Sequence, residues 1–285
     1  MTAAGASGAH RVSLTGKLRA GVRLLAIFAS LALALPLHFL ARLFTRHSPF
    51  PRLFLALFAR LAGVRISHVG TPLARQAFYV ANHVSWLDIP ALAGASGTAF
   101  VAKAEVAKYP LIGWLCRLHH TVFVRREARL DIAAQINALE EALADAPAIA
   151  VFPEGTTTDG LSLLPFKSAM LKVLEPPPPG ILVQPVLLDY GPLAPFIGWV
   201  GDEAGLDNAL KILGRPGSFP LKVHFLEPFS PEQFPGRKAI AAEARARIAA
   251  ALEESLGAPT RPFALDVAAV RYVAPGGEAH DRADG

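Results

Sequence analysis

Aspartate and glutamate are missing from the first 87 residues of this 285-residue chain. Ten Lys and Arg lie in that stretch, whereas the remainder carries 18 of them against 23 acids. The net charge of +5 therefore belongs to the N-terminal third, where the apolar runs also lie. Cations interleaved with apolar sequence fit an anionic lipid surface. Nucleic acid is not expected as a partner, because no zinc-finger spacing, Arg-rich polar helix or aromatic RNA-binding motif is present.

Cysteine is almost absent as well. Cys116 stands alone, so no internal disulfide framework and no Cys-rich metal site can form. There is no His-Glu-x-x-His, and His119 and His120 are adjacent, an arrangement unsuited to zinc. No metal and no bound cofactor are expected. Neither Gly (23) nor Pro (24) is in excess, which removes collagen-like and disordered readings. No internal repeat is present, and the length suffices for a sizeable core.

The longest apolar run, Leu24 to Leu40, reads LLAIFASLALALPLHFL, 17 residues broken by Ser30, Pro36 and His38. A full membrane span needs about 20 apolar residues, roughly 17 at the least. Arg11, Lys17, Arg19 and Arg23 precede the run, and Arg42, Arg46 and Arg52 follow it. A spanning helix carries its basic excess on one side. Two basic flanks favour a segment that enters and leaves on one face, paired with the short run Leu53–Ala59 as a helical hairpin in one leaflet. A single spanning signal-anchor and a cleaved signal peptide are the competing readings.

From about residue 75 the pattern becomes short β-like runs alternating with helices. Expected strands are 77–81, 98–102, 121–124, 149–152, 181–188 and 221–226, all rich in Val, Ile, Phe and Leu. Expected helices cover 129–145, 165–174 and 237–256. The reading is an α/β protein with a central, mostly parallel sheet flanked by helices, preceded by an N-terminal membrane-associated helical segment. It divides into residues 1–70 (basic tail and hairpin or anchor), 71–260 (α/β domain) and 261–285 (partly disordered tail).

Asp88, the first acid of the chain, ends Asn82-His83-Val84-Ser85-Trp86-Leu87-Asp88. A carboxylate five residues after a histidine can hold one imidazole nitrogen protonated and leave the other free to take a proton from an alcohol. The spacing alone is weak: nine His and ten Asp in this chain give about 0.3 such pairs by chance. Its place directly after the strand 77–81 adds weight, since open α/β sheets bind ligands at strand C-termini. Asn82 and Ser85 can equally cap the following helix, and Trp86 reads as packing. A second motif, Phe152-Pro153-Glu154-Gly155-Thr156-Thr157-Thr158-Asp159-Gly160, again follows a strand. Glu154 there is placed to meet a substrate hydroxyl or to orient a backbone loop.

These residues resemble the glycerolipid acyltransferase superfamily, which includes 1-acylglycerol-3-phosphate acyltransferases. Asn82-His83 with Asp88 is similar to its first block, and Phe152-Pro153-Glu154-Gly155-Thr156 to its third. The second is matched by Val101–Val106 with Pro110, Gly113 and Thr121–Arg126, and the fourth by Val183-Gln184-Pro185-Val186. The resemblance implies His83 as general base and Asp88 as its orienting carboxylate. It places Lys103 and Arg126 at the acceptor's anionic head group, Glu154, Gly155 and Thr156 in the acceptor pocket, and Lys167 at a basic position after the third block. It also implies a lysolipid acceptor at a membrane surface and a fatty acyl thioester donor (acyl-CoA or acyl carrier protein), with the site on the cytoplasmic face of the inner membrane.

Two departures from the family pattern stand out. Thr157 occupies a position that is often an arginine binding the acceptor's phosphate, and a hydroxyl cannot replace a bidentate guanidinium. The run Glu-Gly-Thr-Thr-Thr-Asp-Gly followed by Leu-Pro-Phe-Lys is more like members acting on larger or zwitterionic lysolipids, including lyso-ornithine lipid. His120 and Arg125 stand where glycine and a small or acidic residue are usual. Rival readings are strict 1-acylglycerol-3-phosphate acylation, a hydrolase using Ser85 (without the Gly-x-Ser-x-Gly elbow), and a non-catalytic lipid-binding protein.

Overall fold

The computed structural model describes residues 12–45, 47–124, 141, 143 and 146–263. Helix α1 (Leu14–Phe44) starts at Ser13, whose hydroxyl accepts from Gly16 N. Helix α2 (Phe50–Leu61) returns along it. Seven strands follow: β1 Val64–Val69, β2 Ala77–Ala81, β3 Ala99–Lys103, β4 Val122–Val124, β5 Ala148–Val151, β6 Leu182–Asp189 and β7 Phe219–Phe225. Between them run α3 (Asp88–Ser96), α4 (Pro110–Leu118) and α5 (Gly205–Gly214), and α6 (Arg237–Leu256) comes last.

The strands form one sheet in the order β1-β7-β6-β2-β5-β3-β4, parallel at every pairing but β6–β7. Alternation sets its two faces. Ala77, Tyr79 and Ala81 of β2 join a core with α2, α3 and α5, whereas Phe78 and Val80 pack toward α6 on the other side. The C-terminal ends of β2, β5 and β3 share one edge, and both motifs stand there.

The expected sheet is thus present, with one strand more than the sequence revealed. Strand β1 lies before residue 71, and its burial pattern, one buried position then mostly exposed ones, hides it from a search for apolar runs. The expected helix 165–174 is instead a 3₁₀ segment, Ser168–Leu174. Its start is displaced because Lys167 N donates to Pro153 O (2.8 Å), tying the chain to the second motif in extended form. The expected helix 129–145 lies almost wholly outside the described residues, as does the tail beyond 263.

Helices α1 and α2 are fastened along the domain. Arg19 and Arg23 donate to the carbonyls of Leu213, Gly214, Arg215 and Gly217. Arg52 donates to Gly94 and Ala95 of α3. At Gly94 the two backbones approach so closely that a Cβ would lie 2.6 Å from Ala56 Cα. The outer side of the pair is apolar and uncovered: Leu14, Leu18, Val22, Leu25, Leu33 and Leu43 of α1, with Leu53 and Leu57 of α2, are exposed. Among the described residues α1 is the one helix long and apolar enough to cross a membrane. Such a surface is that of a membrane-associated protein.

Candidate active site

The chain leaves β2 through Asn82, which is buried and prolongs the β2–β6 pairing with its side chain. Its Nδ2 donates to Leu188 O (3.2 Å) and its Oδ1 accepts from Leu188 N (2.7 Å). Asn82 therefore caps no helix, and α3 begins without a side-chain cap. With that anchor the next residues turn sharply and meet Asp88.

Asp88 is fully buried and accepts four hydrogen bonds. Oδ2 takes Val84 N (2.7 Å), Ser85 N (2.9 Å) and His83 Nδ1 (2.8 Å), and Oδ1 takes the Tyr190 hydroxyl (2.7 Å). An oxygen already facing two amide donors can only be an acceptor toward the imidazole. His83 therefore carries its proton on Nδ1 and presents Nε2 with a free lone pair. Nε2 makes no hydrogen bond among the described residues, and the side chain keeps 19% exposure. The ring is held on its face too, stacked on Phe152 at 4.3 Å and 17°. Phe152 in turn lies parallel to Phe100.

The second motif braces the first. Glu154 Oε1 accepts His83 N and Oε2 accepts Leu164 N, each at 2.8 Å. Thr158 N donates to His83 O (2.8 Å). Of the two roles open to Glu154, the geometry is that of orienting backbone, since both oxygens are engaged and 1% of the residue is exposed. Burial pushes its carboxyl up to about 8 against the pull of the two amides, and the nearby Asp88 adds to the rise. Arg245 of α6 holds the same loop through Leu163 O and Leu164 O.

Gly155 adopts φ +72°, and a Cβ on it would stand 2.7 Å from Lys167 Nζ, so the lysine cation lies over the glycine. Thr156 is half-buried beside it. Thr157 donates its hydroxyl to Trp199 O, and Trp199 N donates to Val84 O (3.0 Å). Trp86 Nε1 donates to Asn208 Oδ1 (3.0 Å), and Asn208 Nδ2 to Gly198 O and Glu203. Together these bonds clamp the segment 198–208 onto both motifs. Ser85 is fully buried, so it offers no nucleophile to a substrate. Lys103 ends β3 at the edge shared with His83, but its side chain and the whole of Arg126 fall outside the described residues.

Tyr190, Trp199, Asn208 and Arg245 escaped the sequence reading. Tyr190 carried one signal: it directly follows β6, which proves to be the neighbour of β2. His120 has φ +55°, a left-handed conformation that glycine enters freely and His tolerates better than most. That accounts for the glycine usual in the family.

The chain matches the Acyltransferase family model over residues 65–189. It is 34% identical over 249 residues to the lyso-ornithine lipid O-acyltransferase of Rhodobacter capsulatus, across 81% of this chain and 87% of that protein. The chain belongs to the glycerolipid acyltransferase superfamily. A 1-acyl-sn-glycerol-3-phosphate acyltransferase of Neisseria gonorrhoeae is 41% identical, but over 92 residues, 32% of this chain and 36% of that one. The fold is shared with the 1-acyl-sn-glycerophosphate acyltransferase of Thermotoga maritima, with a TM-score of 0.60, 21% identity and cover of 84% and 97% of the two chains. The protein is an acyltransferase, and its first and third blocks meet at the sheet edge formed by the C-terminal ends of β2 and β5.

Proposed function

We propose that the acyltransferase moves a fatty acyl chain from a thioester to the free hydroxyl of a membrane lysolipid, and that this acceptor is a lyso-ornithine lipid. His83 Nε2 takes the hydroxyl proton as the oxygen adds to the thioester carbonyl. The tetrahedral adduct then expels the thiolate, which recovers the proton from the imidazolium and leaves as a thiol. A positioned base contributes about 10²–10⁴ in rate. The amides of Thr156 and Thr157 have no acceptor among the described residues and stand next to the left-handed Gly155. They are the proposed donors to the oxyanion, each worth about 10²–10³. No metal or bound cofactor enters this scheme, and coenzyme A or acyl carrier protein carries the donor chain.

One observation carries the choice of acceptor. Thr157 stands where a phosphate-binding arginine is usual, and its hydroxyl is spent on Trp199 O. A site without that guanidinium suits a head group that carries a carboxylate and an ammonium and lacks phosphate. The similarity to the Rhodobacter protein, which spans most of both chains, agrees with this. Lys167, with Lys103 and Arg126, would meet the carboxylate.

The apolar side of α1 and α2 would lie in one leaflet, on the cytoplasmic face of the inner membrane. The packing of Arg19, Arg23 and Arg52 onto the domain favours that placement over a span, because it keeps α1 beside the sheet. The deciding experiment incubates purified protein with labelled acyl-CoA or acyl-carrier-protein thioester and a panel of lysolipids. Faster acylation of lysophosphatidate than of lyso-ornithine lipid would overturn the acceptor assignment.

A further inference from the structure

Helix α4 carries its apolar residues on the outside. Tyr109, just before it, is 37% exposed, Leu111 52%, Ile112 53% and Trp114 37%. Its inner side is Gly113, set so close to the 3₁₀ turn Ala104–Lys108 that a Cβ would lie 2.5 Å from Ala107 O. The smallest residue points in and the largest apolar ones point out, the reverse of a helix packed on a water-soluble core. Single exposed apolar residues need no explanation, but three clustered on one short helix, with Tyr109 at its start, do.

The topology places this face. The crossovers β2–α3–β3 and β3–α4–β4 step the same way across the sheet, so right-handed connections put α4 on the face that carries α3. Helix α2 covers α3 on that same face. The chain enters α4 from the end of β3, the edge where His83 stands. The exposed side of α4 therefore lies on the sheet face that carries α1 and α2.

We propose that α4 is a second lipid-contacting element, in which Tyr109, Leu111, Ile112 and Trp114 enter the bilayer surface beside α1 and α2. The inference rests on the reading of a membrane lysolipid as acceptor. Charge favours lipid over a protein partner: α4 itself, Pro110–Leu118, holds Arg117 and no acid, and Lys108 stands just before it. Trp and Tyr among aliphatic residues, bordered by cations, is the composition of a membrane interface. Contact through α4 as well as through α1 and α2 would hold the sheet edge of His83 at the membrane surface, where a lysolipid resides.

The single native cysteine makes the test direct. In a Cys116→Ala background, cysteines are introduced one at a time as Leu111→Cys on α4, Leu33→Cys on α1 and Glu254→Cys on α6, and labelled with an environment-sensitive fluorophore. Each full-length protein is mixed with phosphatidylcholine–phosphatidylglycerol vesicles, with and without nitroxide-bearing lipid. The expected result is a blue shift at 111 and 33, a loss of that emission on adding nitroxide lipid, and no change at 254. Lipid contact at 33 without contact at 111 overturns the proposal and leaves the membrane reading standing. Contact at neither overturns both. A blue shift at 111 that needs no vesicles and grows with protein concentration would assign the face to a second copy and overturn the proposal too.

Discussion

Tyr190 donates its hydroxyl to Asp88 Oδ1 across 2.7 Å, joining the residue after β6 to the first turn of α3. Neither residue is more than 1% exposed. Burial, with the charge of Asp88 added, pushes the phenol well above its ordinary value, so it stays a donor. Tyr190→Phe leaves Oδ1 buried without that partner, at a cost of about 1–3 kcal/mol in stability. Loosening of Asp88 should lower kcat about tenfold, equivalent to roughly 1.4 kcal/mol. KM for the acceptor should not change, because Tyr190 is sealed from substrate. Urea unfolding and steady-state kinetics on one preparation check both.

His83→Ala should remove activity by about 10²–10⁴ while far-UV circular dichroism stays native, since the ring forms no part of the sheet. Asp88→Asn should be worse for stability than for a typical surface change. An amide removes the negative charge that faces His83 and turns its NH2 either onto the Val84 and Ser85 amides and His83 Nδ1 or onto the Tyr190 hydroxyl, which loses its acceptor. A loss of about 1–3 kcal/mol in melting, with kcat falling far more than acceptor affinity, is expected.

Glu154 makes stability depend on pH with a definite sign. Its folded value of about 8 lies above the ordinary 4.5, so the folded protein holds this proton over a range where the unfolded chain has lost it. Stability from this group is greatest below about 4.5 and falls as pH rises toward 8, by at most about 1.4 kcal/mol per unit. Subtracting the melting profile of Glu154→Gln from that of the wild type between pH 5 and pH 8 isolates the slope. A flat difference would show that Glu154 ionises normally.

Thr157→Arg restores a guanidinium beside Gly155 and breaks the bond to Trp199 O. The ratio of kcat/KM for lysophosphatidate over lyso-ornithine lipid should rise about tenfold or more, as charge-assisted bidentate pairs allow. Thr157→Val removes the bond without adding charge and should lower both rates together.

Gly155→Ala meets two penalties at once. A φ of +72° disfavours any Cβ by about 1–2 kcal/mol, and the new methyl would displace Lys167 Nζ. A raised acceptor KM and a lowered melting temperature are expected, and Lys167→Ala should reproduce the KM effect without the loss of stability.

How much of this was legible beforehand depended on the range of the interaction. The strand at Ala77–Ala81, the His83–Asp88 pair and helix Arg237–Leu256 could be read because each is written in neighbouring residues: an apolar run, a five-residue spacing, a charged, Ala-rich stretch. Strand Val64–Val69 could not, since an edge strand exposed on one face looks polar. The 3₁₀ turn at Ser168 was misread as α-helix because the bond from Lys167 N to Pro153 O is local in space but not in pattern.

The sequence alone determined that a histidine stands five residues before a carboxylate, that the cations of the first 87 residues lie among its apolar runs, and that both motifs follow apolar strand-like runs. Residue identity and spacing suffice for that, because side-chain chemistry and the strand period act over a few positions. Only the tertiary structure decided that Tyr190 supports Asp88, that Glu154 is buried as a brace for His83 N, and that the Thr157 hydroxyl is already taken by Trp199. Each of these needs residues far apart in the chain, and the order β6-β2-β5 in the sheet is what brings them within hydrogen-bond distance.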